Sequence, residues 1–106
     1  MLAVLASGAS GCGWSVSSAR EAYAQKWCSY YSQCDDVGSG KLFASADECL
    51  TRQRSIALDL WPSADCDSKI DAKGVDVCFK AIEITQCNII DQAATILKCT
   101  KGNVCK

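Results

Sequence analysis

The chain has 106 residues, one domain's worth, with 11 basic and 12 acidic side chains interleaved to a formal net charge of −1, and no block of like charge suits it to nucleic acid. It contains no histidine, which removes the commonest general base, the commonest metal ligand and every Ser-His or Cys-His catalytic arrangement. Nine cysteines in so short a chain are the density of an exported disulfide scaffold.

Residues 1–11, MLAVLASGASG, carry no charged side chain. The first six are apolar and the next five small, which is the order of a signal peptide's apolar segment and its cleavage region. The stretch is far too short to span a bilayer. The expected organisation is therefore a signal-peptide remnant over 1–11, a tether over 12–17 and a cysteine-rich helical domain over 18–106. Trp14, in the tether, lies outside any periodic stripe. It either sits at a membrane interface, where tryptophan is favoured, or is simply exposed.

Ser18-Ala-Arg-Glu21 has the S-x-x-E form of a capping box. Behind it Ala19, Tyr23, Trp27, Tyr30, Tyr31 and Cys34 recur every three or four residues, so a helix over 18–34 is predicted with these on one face. Asp35-Asp36-Val-Gly38-Ser-Gly40 is loop chemistry. Ser45-Ala-Asp-Glu48 is a second capping box, and its acids also suit a helix N-terminus. The helix it opens carries Leu50, Ala57, Leu60 and Trp61 on one side, with Arg52 and Arg54 away from it, and stops at Pro62. Residues 63–70 read as a connector.

Asp71 is placed to cap a third helix running to about Cys87, with Val75, Cys78, Phe79 and Ile82 as its buried stripe and Gly74 as a small cost. The β-branched alternation over 81–85 is also compatible with a strand, but a single strand has no partner here. A fourth, shorter helix is expected over 91–99, burying Ala94, Ile96 and Leu97. Lys101-Gly102-Asn103 is a stop signal. The fold class is thus all-α, a small disulfide-stapled bundle of three to four helices.

The parity of the cysteines is informative. Cys28, Cys34, Cys49, Cys66, Cys78, Cys87, Cys99 and Cys105 make an even set, expected as disulfides, and Cys12 is the odd one. Zinc or haem is a poor alternative, with no C-x2-C, no C-x2-C-H and no histidine. Cys28–Cys34 cannot close within one continuous helix, because six residues rise about 9 Å and a bridge needs Cα atoms within about 7 Å. Cys78–Cys87 fails in the same way. In an antiparallel hairpin of the first two helices Cys34–Cys49 is the best single pair, followed by Cys66–Cys78; the other pairings stay open.

Other motifs give way to plainer readings. Gly38-Ser-Gly40-Lys41 matches only the end of a phosphate loop, since Asp35 stands at the first glycine and Leu42 at the Ser/Thr position. Asp65, Asp67, Asp71 and Asp76 fall at calcium-loop positions 1, 3, 7 and 12, but Lys69 and Ile70 spoil the loop, leaving solvated connector acids. Asp35 and Asp36 read as turn residues rather than a catalytic carboxylate pair. Trp27, Tyr30, Tyr31, Trp61 and Phe79 read as core rather than as an aromatic binding surface.

Ala9-Ser10-Gly11-Cys12 resembles a bacterial lipobox, in which a cysteine after small residues becomes lipidated; Ala9 stands where leucine is usual. An intermolecular disulfide through Cys12 is the rival use. The region from Cys12 onward resembles uncharacterised cysteine-rich lipoproteins of the kind abundant in myxobacteria. The residues that carry this are Ser10-Gly11-Cys12-Gly13, Cys28-x5-Cys34, Ser45-x3-Cys49 and Cys87-x11-Cys99-x5-Cys105. That resemblance implies no activity and no active site. The expectation is a non-catalytic domain of the bacterial cell envelope, in the outer membrane or periplasm, held to the membrane by a lipid at Cys12 and free of cofactors. It would be structural or partner-binding, with an envelope protein as the further partner to seek. A small secreted carrier of lipids or other hydrophobic ligands is the alternative, and an enzyme ranks last.

Overall fold

Ser15, not Ser18, opens the first helix. In the computed structural model, which describes residues 13–106, Ser15 Oγ accepts from the Ser18 backbone N–H at 3.0 Å and Ser18 Oγ accepts from the Ser15 N–H at 3.1 Å. Ser18 is therefore the third helical residue of a capping box rather than its cap. Order begins this early because Trp14 packs edge-on against Phe79, with ring centroids 5.4 Å apart. The chain is fixed to the core before the helix starts.

Six helices follow among the described residues: α1 (Val16–Gln33), α2 (Ala46–Leu60), α3 (Ser63–Cys66), α4 (Ala72–Glu83), α5 (Ile89–Leu97) and α6 (Lys101–Val104). Two of them, α3 and α6, are single turns, formed where the sequence predicted a connector and a stop. The all-α class holds.

The core lies between α1, α2 and α4. From α1 come Ala19, Tyr23, Trp27 and Tyr30, from α2 Ala57 with Trp61 just beyond it, and from α4 Val75, Cys78, Phe79 and Ile82. These are the periodic stripes of the sequence, and they place the aromatic residues inside, with Tyr31 half-buried. Tyr23 meets Trp61 edge-on at 5.0 Å and Trp27 meets Tyr30 at 5.1 Å. Trp61 donates its indole N–H to Cys99 O at 2.8 Å, and Arg20 donates to the Trp61 carbonyl, closing the C-terminal end of α2.

Four disulfides join Cys28–Cys49, Cys34–Cys87, Cys66–Cys105 and Cys78–Cys99. All eight expected cysteines pair, but Cys34–Cys49 and Cys66–Cys78 are not the pairs formed. The α1–α2 connection folds back along α1: Asp36 N–H donates to Tyr31 O, Phe43 N–H donates to Asp36 O, and the Phe43 ring meets Tyr31 edge-on at 5.0 Å. Phe43 thus lies level with Tyr31. The antiparallel run from there brings Cys49 to Cys28, leaving Cys34 at the end of α1 to reach the α4–α5 link.

Cys66 is taken by the C-terminus. Asp71 N–H donates to Val104 O, and Lys106 N–H donates to Lys69 O, both at 2.7 Å, which sets Cys105 beside α3. Cys78, inside α4, then faces Cys99 after α5.

Two helix ends also differ from expectation. α4 stops at Glu83 rather than near Cys87, because Thr85 turns its hydroxyl onto Ala81 O at 2.7 Å and the Asp91 carboxylate takes the Gln86 N–H at 3.0 Å. α5 starts at Ile89, two residues before the expected Asp91, because Asn88 Oδ1 accepts from the Asp91 N–H at 2.8 Å and caps the helix.

Candidate functional site

Cys12, the expected lipidation site, lies outside the described residues, as does the signal-peptide reading of 1–11. What the structure places is the chain just after it. A Cβ built at Gly13 would lie 3.7 Å from Ala72 Cβ, so the described chain begins against the first turn of α4. Trp14 is neither free nor fully covered, at 37 % exposure against Phe79. No described helix is long and apolar enough to cross a membrane.

The motifs weighed as chemistry are structural. Lys41 of the glycine loop pairs with Asp35, whose backbone is left-handed at φ 62°. Asp71 caps α4, its carboxylate accepting from the Gly74 N–H at 2.8 Å, and Asp65 pairs with Lys101 at 3.3 Å. These two aspartates of the calcium-loop spacing are occupied by separate partners. Among the described residues no three carboxylate or thiol groups gather as a metal site. Charge between helices is paired at the surface: Arg54 on α2 holds Glu21 on α1 through two contacts of 2.8 Å, which keeps that carboxyl below the usual range. Lys26 on α1 reaches Glu83 on α4 at 2.6 Å.

The unusual element is α5, which is turned outward. The sequence predicts Ala94, Ile96 and Leu97 as its buried face. Instead Leu97 is 68 % exposed, Ile89 and Ile90 are each 79 % exposed, and Ile84 just before the helix is 74 % exposed. The inward residues are polar. Thr95 is buried with its hydroxyl 2.6 Å from that of Thr85, and Gln92 donates to the Tyr31 hydroxyl. The helix is amphipathic in the reverse sense, because polar partners for Gln92 and Thr95 wait on α1 and on the end of α4.

Two clefts lie where α5 and the chain after it meet α4. One is lined by Ala81, Ile84, Ala94 and Lys98 among others, and the next by Val77, Gly74, Lys73, Lys98 and Lys106. Lys98 lines both. Sequence reading missed Ile89 and Ile90, although Asn88-x-x-Asp91 is a capping signal for a helix that includes them. Lys73 is distant in the chain from Lys98 and Lys106, and no local signal joins the three.

The profile of a family of unknown function (DUF6184) matches residues 28–106. The match begins at the first bridged cysteine and takes in all four disulfides, while Cys12 lies ahead of it. No curated protein and no solved structure matches the chain.

Proposed function

The chain belongs to this family of unknown function, and from its own residues we propose that it is a non-catalytic, partner-binding domain of the bacterial cell envelope, a cysteine-rich lipoprotein of the myxobacterial kind carried on a lipid at Cys12. One observation carries the reading. The four disulfides use every described cysteine, so none is left for Cys12 to join within its own chain. An unpaired thiol in an oxidising compartment is reactive, whereas a thioether to lipid is inert, and Ser10-Gly11 ahead of Cys12 fits that processing.

Two further features support binding at the surface over carriage of a ligand inside. The centre is occupied by Trp27, Trp61 and Ile82, all nearly inaccessible, and apolar side chains stand outward on α5. Two acyl chains at about 0.8 kcal/mol per buried methylene give stable anchoring. Expressed from its natural locus, the protein is expected in the membrane fraction. Cys12→Ser should release it, or stall its processing, with the four bridges intact. Recovery of the wild-type chain wholly in the soluble fraction contradicts the proposal.

A further inference from the structure

We propose that the outward face of α5, together with Val77 on α4, Ile84 just after it and the lysine-lined cleft beside Val77, lies on an anionic bilayer surface. The inference takes the bilayer's proximity from the lipoprotein reading and the contact itself from geometry.

On α5, Ile90, Ala94 and Leu97 stand at i, i+4 and i+7, one line along the helix. Val77 on α4 and Ile84, the residue that caps its C-terminal end, have the same seven-residue spacing and are also exposed. Lys98 ends the apolar line and enters the cleft with Lys73 and Lys106. None of these three lysines has a carboxylate within ion-pair reach among the described residues, whereas Lys26, Lys41, Lys80 and Lys101 all do. Asp71 also lines this cleft and Asp91 the other, but their carboxylates are held by the Gly74 and Gln86 N–H groups. An apolar helical face edged by unpaired lysines is the arrangement of a helix lying in a membrane interface, with acyl chains under the isoleucines and anionic headgroups at the ammonium groups.

The start of the described chain agrees with this. Gly13 sits against Ala72, the residue before Lys73, so the described chain begins beside the same end of α4. A second copy is a poorer occupant. A two-fold pairing through this face would set each lysine cluster against itself or its neighbour.

The test uses the full chain as Cys12→Ser, so that no lipid contributes, with phosphatidylcholine vesicles carrying about one third phosphatidylglycerol. Co-sedimentation should show binding that raised salt weakens and that pure phosphatidylcholine does not support. Lys73→Gln and Lys98→Gln should each lower affinity about fivefold. Ile90→Glu and Leu97→Glu, at exposed positions, should lower it more than about tenfold while helicity and the four bridges persist. Residues ahead of Gly13 are common to all variants, so the differences report α4 and α5. Failure to bind anionic vesicles overturns the docking, as does binding indifferent to the α5 variants or a stable dimer formed through α5. If the Cys12→Ser chain fails to bind while the wild type is held at membranes through Cys12, docking falls and the anchor stands. If it binds while Cys12 proves unmodified in cells, docking stands and the anchor falls.

Discussion

The hydroxyls of Thr85 and Thr95 meet at 2.6 Å beneath α5, and that contact faces the domain while Ile89, Ile90 and Leu97 face away. Thr85 also donates to Ala81 O, so the pair fastens α5 to the last turn of α4. Thr95→Val should cost about 1 kcal/mol, the usual worth of such a bond. Ile90→Asn and Leu97→Asn should change stability by less than about 0.5 kcal/mol, as exposed substitutions do. Chemical denaturation of the three variants checks this. The reverse order would mean that α5 buries its isoleucines.

Gly74 and Asn103 make a tight backbone approach in the clasp between α4 and the C-terminus. A Cβ at Gly74 would lie 2.0 Å from the Asn103 carbonyl oxygen, which is backbone and cannot swing aside. Alanine is the better helix former by about 1 kcal/mol, so propensity alone predicts that Gly74→Ala stabilises α4. The clash predicts the opposite, a loss of about 1–3 kcal/mol. A melting temperature above that of the wild type would show that α4 and α6 do not approach as described.

Cys34–Cys87 is the disulfide most open to solvent. Each of the other three includes a cysteine with no accessible surface: Cys49, Cys66 and Cys78 with Cys99. Stepwise reduction followed by alkylation and peptide mapping should label Cys34 and Cys87 first. Cys34–Cys87 also closes the longest loop, at a sequence separation of 53, so its removal should cost about 4 kcal/mol in the chain-entropy description. First labelling at Cys66 or Cys78 would contradict this order.

All three tyrosines have phenols pushed above their ordinary value of 10.0, chiefly by burial, and Tyr23 reaches about 12. Below pH 10 the phenols are neutral in both folded and unfolded chains, so their contribution is fully present. As pH rises from 10 towards 12 the unfolded chain ionises first, and the folded state loses stability through that window. Phenolate absorbance of the native protein should lag behind that of denatured chain, and Tyr23→Phe should flatten the decline. A native titration centred at 10 would place the rings at the surface.

The parts of this fold legible in the sequence are those governed by neighbours in the chain. Ser45 caps α2 and Asp71 caps α4, each accepting from the N–H three residues on, and both lie where the S-x-x-E and Asp signals put them. The stripe Val75, Cys78, Phe79 and Ile82 is buried as its period requires. Periodicity identified α5 as a helix but not the direction of its apolar side, because that is decided by Tyr31 and Thr85, distant or separately folded groups. Cystine connectivity was hidden for a similar reason. Phe43 docking on Tyr31 sets the register of α1 against α2, and no local spacing around Cys34 or Cys49 records that. The lysine cleft combines side chains from α4, the end of α5 and the C-terminus, which only the fold brings together.

The lipid anchor stands or falls on the chemistry of Cys12. Protein taken from native membranes, digested without reduction and analysed by mass, should give an N-terminal peptide that begins at Cys12 and carries acyl chains. The same digest should contain Cys28–Cys49, Cys34–Cys87, Cys66–Cys105 and Cys78–Cys99 as linked peptides. A chain that begins elsewhere, or that holds Cys12 in a disulfide to a second molecule, would contradict it.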